Sequence, residues 1–177
     1  MKVVKTNLDD CYIIEPVIHG DERGFFIETF QALRYKQLLN IDKSFVQDNH
    51  SRSKYGILRG LHFQKNYPQG KLVRVVRGEV FDVAVDLRKD SSTFGDWFGV
   101  YLSEENKKQL WVPPGFAHGF LVTSKIADFE YKCTELYYPD DEVCLKWNDE
   151  EIGIKWPIEK PILSNKDSKG MFLRDLF

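Results

Sequence analysis

Glu79-Val80-Phe81-Asp82-Val83-Ala84-Val85-Asp86-Leu87 alternates with a period of two. Phe81, Val83, Val85 and Leu87 share one parity, and Val80, Asp82, Ala84 and Asp86 take the other. Successive side chains of a strand point to opposite faces, so this is the pattern of a half-buried strand. The same short period recurs around it. Residues 72–76, 100–102, 110–112, 119–122 and 128–136 read as strands. Turn signals separate them: Arg77-Gly78, Gly95-Asp96, Pro113-Pro114-Gly115 and Pro139-Asp140-Asp141. Many short strands at fairly even spacing predict a sandwich or small barrel.

Toward the N-terminus, residues 4–16 and 24–29 read as strands with His19-Gly20-Asp21 as the turn between them. Residues 30–41 predict a short helix, with Phe30, Leu33, Leu38 and Ile41 near one face. The polar, Pro-punctuated tail, residues 148–177, predicts short helical turns packed outside. No repeat or linker tract interrupts the chain, so residues 1–177 are expected to form one domain. Its 177 residues suit one domain with a real core, and aromatics at 14% favour strands.

The formal net charge is -2, which supplies no basic field for nucleic acid or an anionic membrane. No apolar run approaches a membrane span and no secretory signal is visible. Cys11, Cys133 and Cys144 show no CxxC spacing and are odd in number, as expected of a reducing cytoplasm.

Several segments carry residues suited to chemistry. In Leu58-Arg59-Gly60-Leu61-His62-Phe63-Gln64, His62 is either a general base, the side chain best poised near neutral pH, or a satisfied structural histidine. In Gly70-Lys71-Leu72-Val73-Arg74-Val75, Lys71 is either a donor to an enolate oxygen or a solvated lysine that guards a strand edge. His118 shares parity with Phe120 and Val122, so it points inward and needs a partner or a ligand. Tyr131 shares its face with Phe129 and Cys133; an inward hydroxyl there bonds to backbone or meets a substrate. Asp21-Glu22-Arg23-Gly24-Phe25-Phe26-Ile27-Glu28 is either a phosphate clamp with stacking aromatics or a charged hairpin tip. Asn165-Lys166-Asp167 matters if the tail folds back, where a carboxylate would orient His62 as the third member of a triad does.

Taken in order, these segments resemble the dTDP-4-dehydrorhamnose 3,5-epimerases, the RmlC-type family of the cupin superfamily. The resemblance also takes in Phe45-Val46-Gln47-Asp48-Asn49, Val85-Asp86-Leu87-Arg88, Val112-Pro113-Pro114-Gly115-Phe116-Ala117-His118-Gly119-Phe120 and Leu145-Lys146-Trp147-Asn148-Asp149, and covers nearly the whole chain. It implies a mainly β fold, a cupin-type double-stranded β-helix (jelly-roll barrel) with a few short helices. It implies His62 as catalytic base, Asp167 as its paired carboxylate, Tyr131 as the acid on the opposite sugar face and Lys71 near the C4 oxygen. Arg23, Gln47, Asn49, Arg59, His118 and Lys166 match positions that hold the nucleotide diphosphate and sugar. Phe26 and Glu28 match a strand that touches the base and comes from the neighbouring subunit, so a homodimer with swapped N-terminal strands is expected. Strict alternation puts Arg59 and His62 on opposite faces; both line one site only through a bulge or bend at Gly60.

The implied reaction inverts C3 and C5 of dTDP-4-keto-6-deoxy-D-glucose to give dTDP-4-keto-L-rhamnose, within dTDP-rhamnose biosynthesis for lipopolysaccharide or cell-wall polysaccharide. No cofactor is expected, because epimerisation through an enolate involves no redox step. No metal is expected either. Pro113, Gly115 and His118 match the second cupin box, Pro-x-Gly-x-x-His, but the first box, His-x-His, reads His62-Phe63-Gln64 here. Other readings of the same residues are a 3- or 5-epimerase, a 3,4-ketoisomerase, a non-catalytic nucleotide-sugar-binding cupin and a metal-dependent oxygenase.

Overall fold

The alternating segments form antiparallel strands in two layers. The structure, a computed structural model, describes residues 1–176; Phe177, the last residue of the expected domain and tail, lies outside the described residues. In chain order the strands are β1 (Lys2–Lys5), β2 (Tyr12–Glu15), β3 (Ile18–Asp21), β4 (Gly24–Ile27), β5 (Gln47–Lys54), β6 (Leu58–Gln64) and β7 (Lys71–Arg77). They continue with β8 (Glu79–Asp86), β9 (Trp97–Ser103), β10 (Gln109–Val112), β11 (Phe116–Val122), β12 (Ile126–Cys133) and β13 (Glu142–Cys144). One helix, α1 (Ala32–Leu39), follows β4.

The larger sheet runs β1-β2-β10-β7-β12-β5, the smaller β13-β6-β11-β8-β9, and β3-β4 is a separate hairpin. The core lies between the two sheets. Val73 and Val75 of β7, Leu110 and Val112 of β10 and Phe129 of β12 meet Val80 and Ala84 of β8 and Phe120 and Val122 of β11. Burial of each large side chain stabilises by about 1.5–3 kcal/mol. His118 falls on the inward parity with Phe120 and Val122, as its spacing predicts.

The strand Glu79–Asp86, expected to be half-buried, is not. Every residue of β8 from Val80 to Asp86 is buried. Phe81, Val83, Val85 and Leu87 face away from the barrel and pack against the tail, with Trp156, Ile158 and Leu173 among their neighbours. The acid-bearing parity is the inner one. Asp82 meets His118 there, while Asp86 accepts hydrogen bonds from Arg88, Ser91 and Thr93 at the strand's end. Period two reveals that the faces differ, but not which is inner when both are covered.

Four smaller expectations are also corrected. Residues 4–16 form two strands, β1 and β2, because the Thr6 hydroxyl ties the intervening turn to the carbonyls of Leu8 and Cys11. His19, Gly20 and Asp21 belong to β3, and the turn sits at Glu22 and Arg23. The strand read over 128–136 ends at Cys133. In α1 the buried face is Tyr35 and Leu39, while Leu33 and Leu38 are exposed. The Tyr35 hydroxyl bonds to Gln109 Oε1 at 2.8 Å, which turns that face of the helix toward β10. Strand β5 escaped the reading because Gln-Asp-Asn-His-Ser-Arg-Ser-Lys contains no apolar residue.

Beyond β13 the chain lies on the outside of the smaller sheet, with 3-10 turns at Asp167–Lys169 and Leu173–Asp175. Parallel bridges fasten it, Ile57 to Ile162 and Leu145 to Met171.

Candidate active site

A cavity of about 430 Å³ opens between the sheets, a size suited to a small-molecule ligand. Its lining includes Arg59 and His62 from β6, Lys71 from β7, His118 from β11, Tyr131 from β12 and Lys166 and Asp167 from the tail.

Arg59 and His62 reach it together through a bulge. His118 pairs with His62 and Phe120 with Arg59, so one residue separates the pair on β11 and two on β6. Gly60 accommodates the extra residue at φ +121, in contact with the neighbouring strand. A Cβ there would lie 2.6 Å from Gly119 Cα and 2.8 Å from His118 O, both backbone atoms that cannot swing aside. Gly60→Ala is therefore expected to lower unfolding stability by about 2–4 kcal/mol. Gly20→Ala, whose Cβ meets only Gly24 O at 3.6 Å, should shift it by less than about 0.5 kcal/mol. Urea titration of both variants checks this, and equal midpoints would refute the steric account.

His62 Nε2 lies 2.5 Å from Asp167 Oδ1. Burial alone would raise the Asp167 pKa, but hydrogen bonds from His62 and Ser164 hold it below the ordinary carboxylate value. The Ser164 hydroxyl donates to Asp167 Oδ2 at 2.7 Å. This is a base with an oriented, ionised partner.

Lys71 is 9% exposed, and its ammonium donates to the His62 carbonyl at 3.4 Å. Among the described residues no carboxylate lies within ion-pair distance of it, and burial lowers its pKa. Tyr131 stands on the sheet opposite His62, its ring 5.9 Å from that of Phe129. Its hydroxyl opens to the cavity with no hydrogen bond among the described residues, and burial of the side chain pushes its pKa up to about 12. His118 Nε2 sits 3.0 Å from Asp82 Oδ1 and its ring stacks on Phe129. Arg59 is held by the Ser53 hydroxyl at 2.9 Å. Lys166 pairs with Glu142.

Other expected residues lie apart from this cavity. Arg23 pairs with Asp21 on the exposed β3-β4 hairpin, Phe26 is 70% exposed, and Glu28 pairs with Arg34. Gln47 and Asn49 bond to each other on β5 at 3.0 Å, and Asn49 is the strand neighbour of Tyr131. Gln64, at the place of a second imidazole, is buried and used up locally. It donates to the carbonyls of Tyr67 and Leu136 and accepts from Tyr138 N.

Three further residues stand at the site without a sequence signal that points to it. Glu142 Oε1 lies 3.6 Å from His62 Nδ1, and its Oε2 accepts from the Tyr137 hydroxyl at 2.8 Å. A three-residue strand carries no periodicity to flag it. Asp82 stands out in the sequence only as a member of the second parity of its strand, and the structure sets it against His118. Cys144, the strand partner of His62, places Sγ 3.8 Å from Asp167 Oδ1. His62, Cys144 and Asp167 have ligand atoms within 4.8 Å of one another, the one group of metal-ligating type among the described residues.

The fold and the cavity define a class: a cupin-type β-barrel with a histidine–carboxylate pair on one sheet side and a phenol and an ammonium on the other. The profile of the family described as dTDP-4-dehydrorhamnose 3,5-epimerase matches residues 5–175, and the chain belongs to that family. The enzyme of that description from Salmonella typhimurium is 55% identical over 175 residues, 98% of this chain and 96% of its own. The crystal structure of dTDP-6-deoxy-D-glucose-3,5-epimerase RmlC from Legionella pneumophila, in complex with dTDP-4-keto-L-rhamnose, superposes with TM-score 0.97 at 55% identity, covering 99% of this chain and 94% of that one. The Bacillus anthracis enzyme, with TDP and pyrophosphate bound, superposes with TM-score 0.93 at 47% identity, covering 97% and 98%.

Proposed function

We propose that this chain inverts C3 and C5 of dTDP-4-keto-6-deoxy-D-glucose to give dTDP-4-keto-L-rhamnose. The observation that carries the reading is the His62–Asp167 pair facing Tyr131 across one cavity that also holds the Lys71 ammonium. C3 and C5 both flank the C4 ketone, which acidifies each C–H bond. His62 takes the proton, and the ionised Asp167 stabilises the resulting imidazolium. Negative charge gathers on O4, where the Lys71 ammonium donates to it in a site shielded from water; one such donor is worth about 3 kcal/mol. Tyr131, protonated at neutral pH, returns a proton from the other face. Substrate and product have the same oxidation level, so the reaction calls for no redox cofactor. Proton NMR of the substrate with the enzyme in D2O tests the reading. Deuterium at both C3 and C5 with formation of the L-rhamno product supports it; label at one carbon alone replaces it with a mono-epimerase, and no label removes it.

His118, Arg59 and Lys166 are proposed to hold the sugar diphosphate from within the chain. Arg23, Phe26 and Glu28 are proposed to serve the site of a second copy, which the projecting β3-β4 hairpin would reach. Phe25 and Phe26, 60% and 70% exposed, favour a covered rather than a free hairpin. Light scattering at micromolar concentration is expected to give twice the chain mass of 20.8 kDa. A fully active monomer would refute this. The free thiols Cys11, Cys133 and Cys144 support work in a reducing compartment, the cytoplasm.

A further inference from the structure

We infer that His62, Cys144 and Asp167 form a site for a thiophilic divalent cation of the zinc class, and that the ion switches the enzyme off by occupying the base. The second half rests on the function proposed above; the first does not.

The site is assembled from three separate pieces of chain. β13 pairs antiparallel with β6 so that Cys144 lies directly opposite His62, which brings their side chains out on one face. The tail then lays Asp167 beside both, with Oδ1 2.5 Å from His62 Nε2 and 3.8 Å from Cys144 Sγ. All three ligand atoms fall within 4.8 Å of one another. A tetrahedral zinc ion, with bonds of about 2.0–2.3 Å, needs its ligand atoms roughly 3.3–3.8 Å apart. Capture therefore requires the His62–Asp167 contact to open by about an ångström and the thiol to close by a similar amount. The outer contacts that orient metal ligands are already in place, since the Ser164 hydroxyl holds the other oxygen of Asp167.

The donor set selects the ion. Thiolate with imidazole and carboxylate suits zinc, cadmium or cobalt, whereas magnesium and calcium demand oxygen ligands throughout. Three protein ligands leave a fourth position open to the cavity, for water. On binding, the thiol proton passes to solvent and the proton on His62 Nε2 moves to Nδ1, so the ligands are thiolate, neutral imidazole and carboxylate; nothing is oxidised. In the metal-free protein, burial and the nearby Asp167 push the thiol up to about 12, so it stays neutral and donates a hydrogen bond to Asp167 Oδ1, a donor that Cys144→Ser retains. The cation is thus not catalytic. It sits on Nε2, the ring nitrogen beside Asp167, and leaves the His62 proton on Nδ1, so the ring has no lone pair with which to take the substrate proton.

The test uses the whole chain after treatment with a chelator. Cobalt(II) is added to the native protein and to Cys144→Ser, and absorption is followed; zinc and magnesium are then titrated against epimerase activity. The expected result is a thiolate-to-cobalt charge-transfer band in the native protein that disappears in Cys144→Ser. Zinc should inhibit the native enzyme stoichiometrically while magnesium does not. The variant should keep its basal rate and need about tenfold or more zinc for the same inhibition. The cobalt spectrum of the native protein stands whether or not the variant folds or the chain epimerises. Absence of the band, an unchanged zinc response in Cys144→Ser, or zinc that binds without inhibiting would overturn the inference.

Discussion

His62→Asn, incubated with dTDP-4-keto-6-deoxyglucose in D2O, is expected to place deuterium at neither C3 nor C5. With no base, no enolate forms, and turnover should fall by roughly 10²–10⁴. Tyr131→Phe should behave differently, because its base and the Asp167 contact are intact. Label can still enter the sugar from the base side or from water, while inversion becomes slow or confined to one carbon. The two variants therefore differ in their exchange pattern as well as in rate. The grounds are the placement of the two groups on opposing sheets and the absence of any competing partner for the Tyr131 hydroxyl among the described residues. If His62→Asn labels both carbons and Tyr131→Phe labels neither, the roles are reversed.

Lys71→Met should lose about 10²-fold or more in kcat while its affinity for dTDP changes little. The charge that the ammonium meets exists only after proton removal, so its loss falls on the transition state rather than on ground-state binding. Methionine preserves the length and apolar stem of a side chain that is 9% exposed, which limits damage to the fold. Weak dTDP binding with a near-native kcat would instead make Lys71 a phosphate ligand.

The strands with apolar alternation were legible because a pleated segment writes its two environments into neighbouring residues. That is why the inward parities of His118 and Tyr131 could be read directly from spacing. Two kinds of feature were not legible this way. Strand β5 carries polar residues on both sides, and its membership of the sheet shows only in its pairing with β12. Contacts made by distant pieces of chain are the other kind. Asp167 lies 105 residues from His62, and Glu142 and Cys144 join them only once the barrel has closed. The resemblance to a family supplied Asp167; no local pattern pointed to Glu142 or Cys144. On β8 the period was right but the strand is buried on both faces rather than half-buried, and nothing local shows that Asp82 lies inside the barrel against His118.

The segment from Ile162 to Met171 is fastened by short parallel bridges and backbone hydrogen bonds to Gly56, Leu58, Cys144 and Lys146, with no long ladder of its own. Segments of this kind open locally with less free energy than the core they cover. Here one such opening would do two things at once. It would expose the part of the smaller sheet's apolar outer side that Leu163 covers and carry Asp167 away from His62. The fraction of molecules able to react is then set by this local equilibrium, not by the stability of the barrel as a whole. Mild heat or denaturant would silence the enzyme while its sheets are still intact, and a substrate that touches Ser164 or Lys166 would hold the segment shut and protect it from amide exchange.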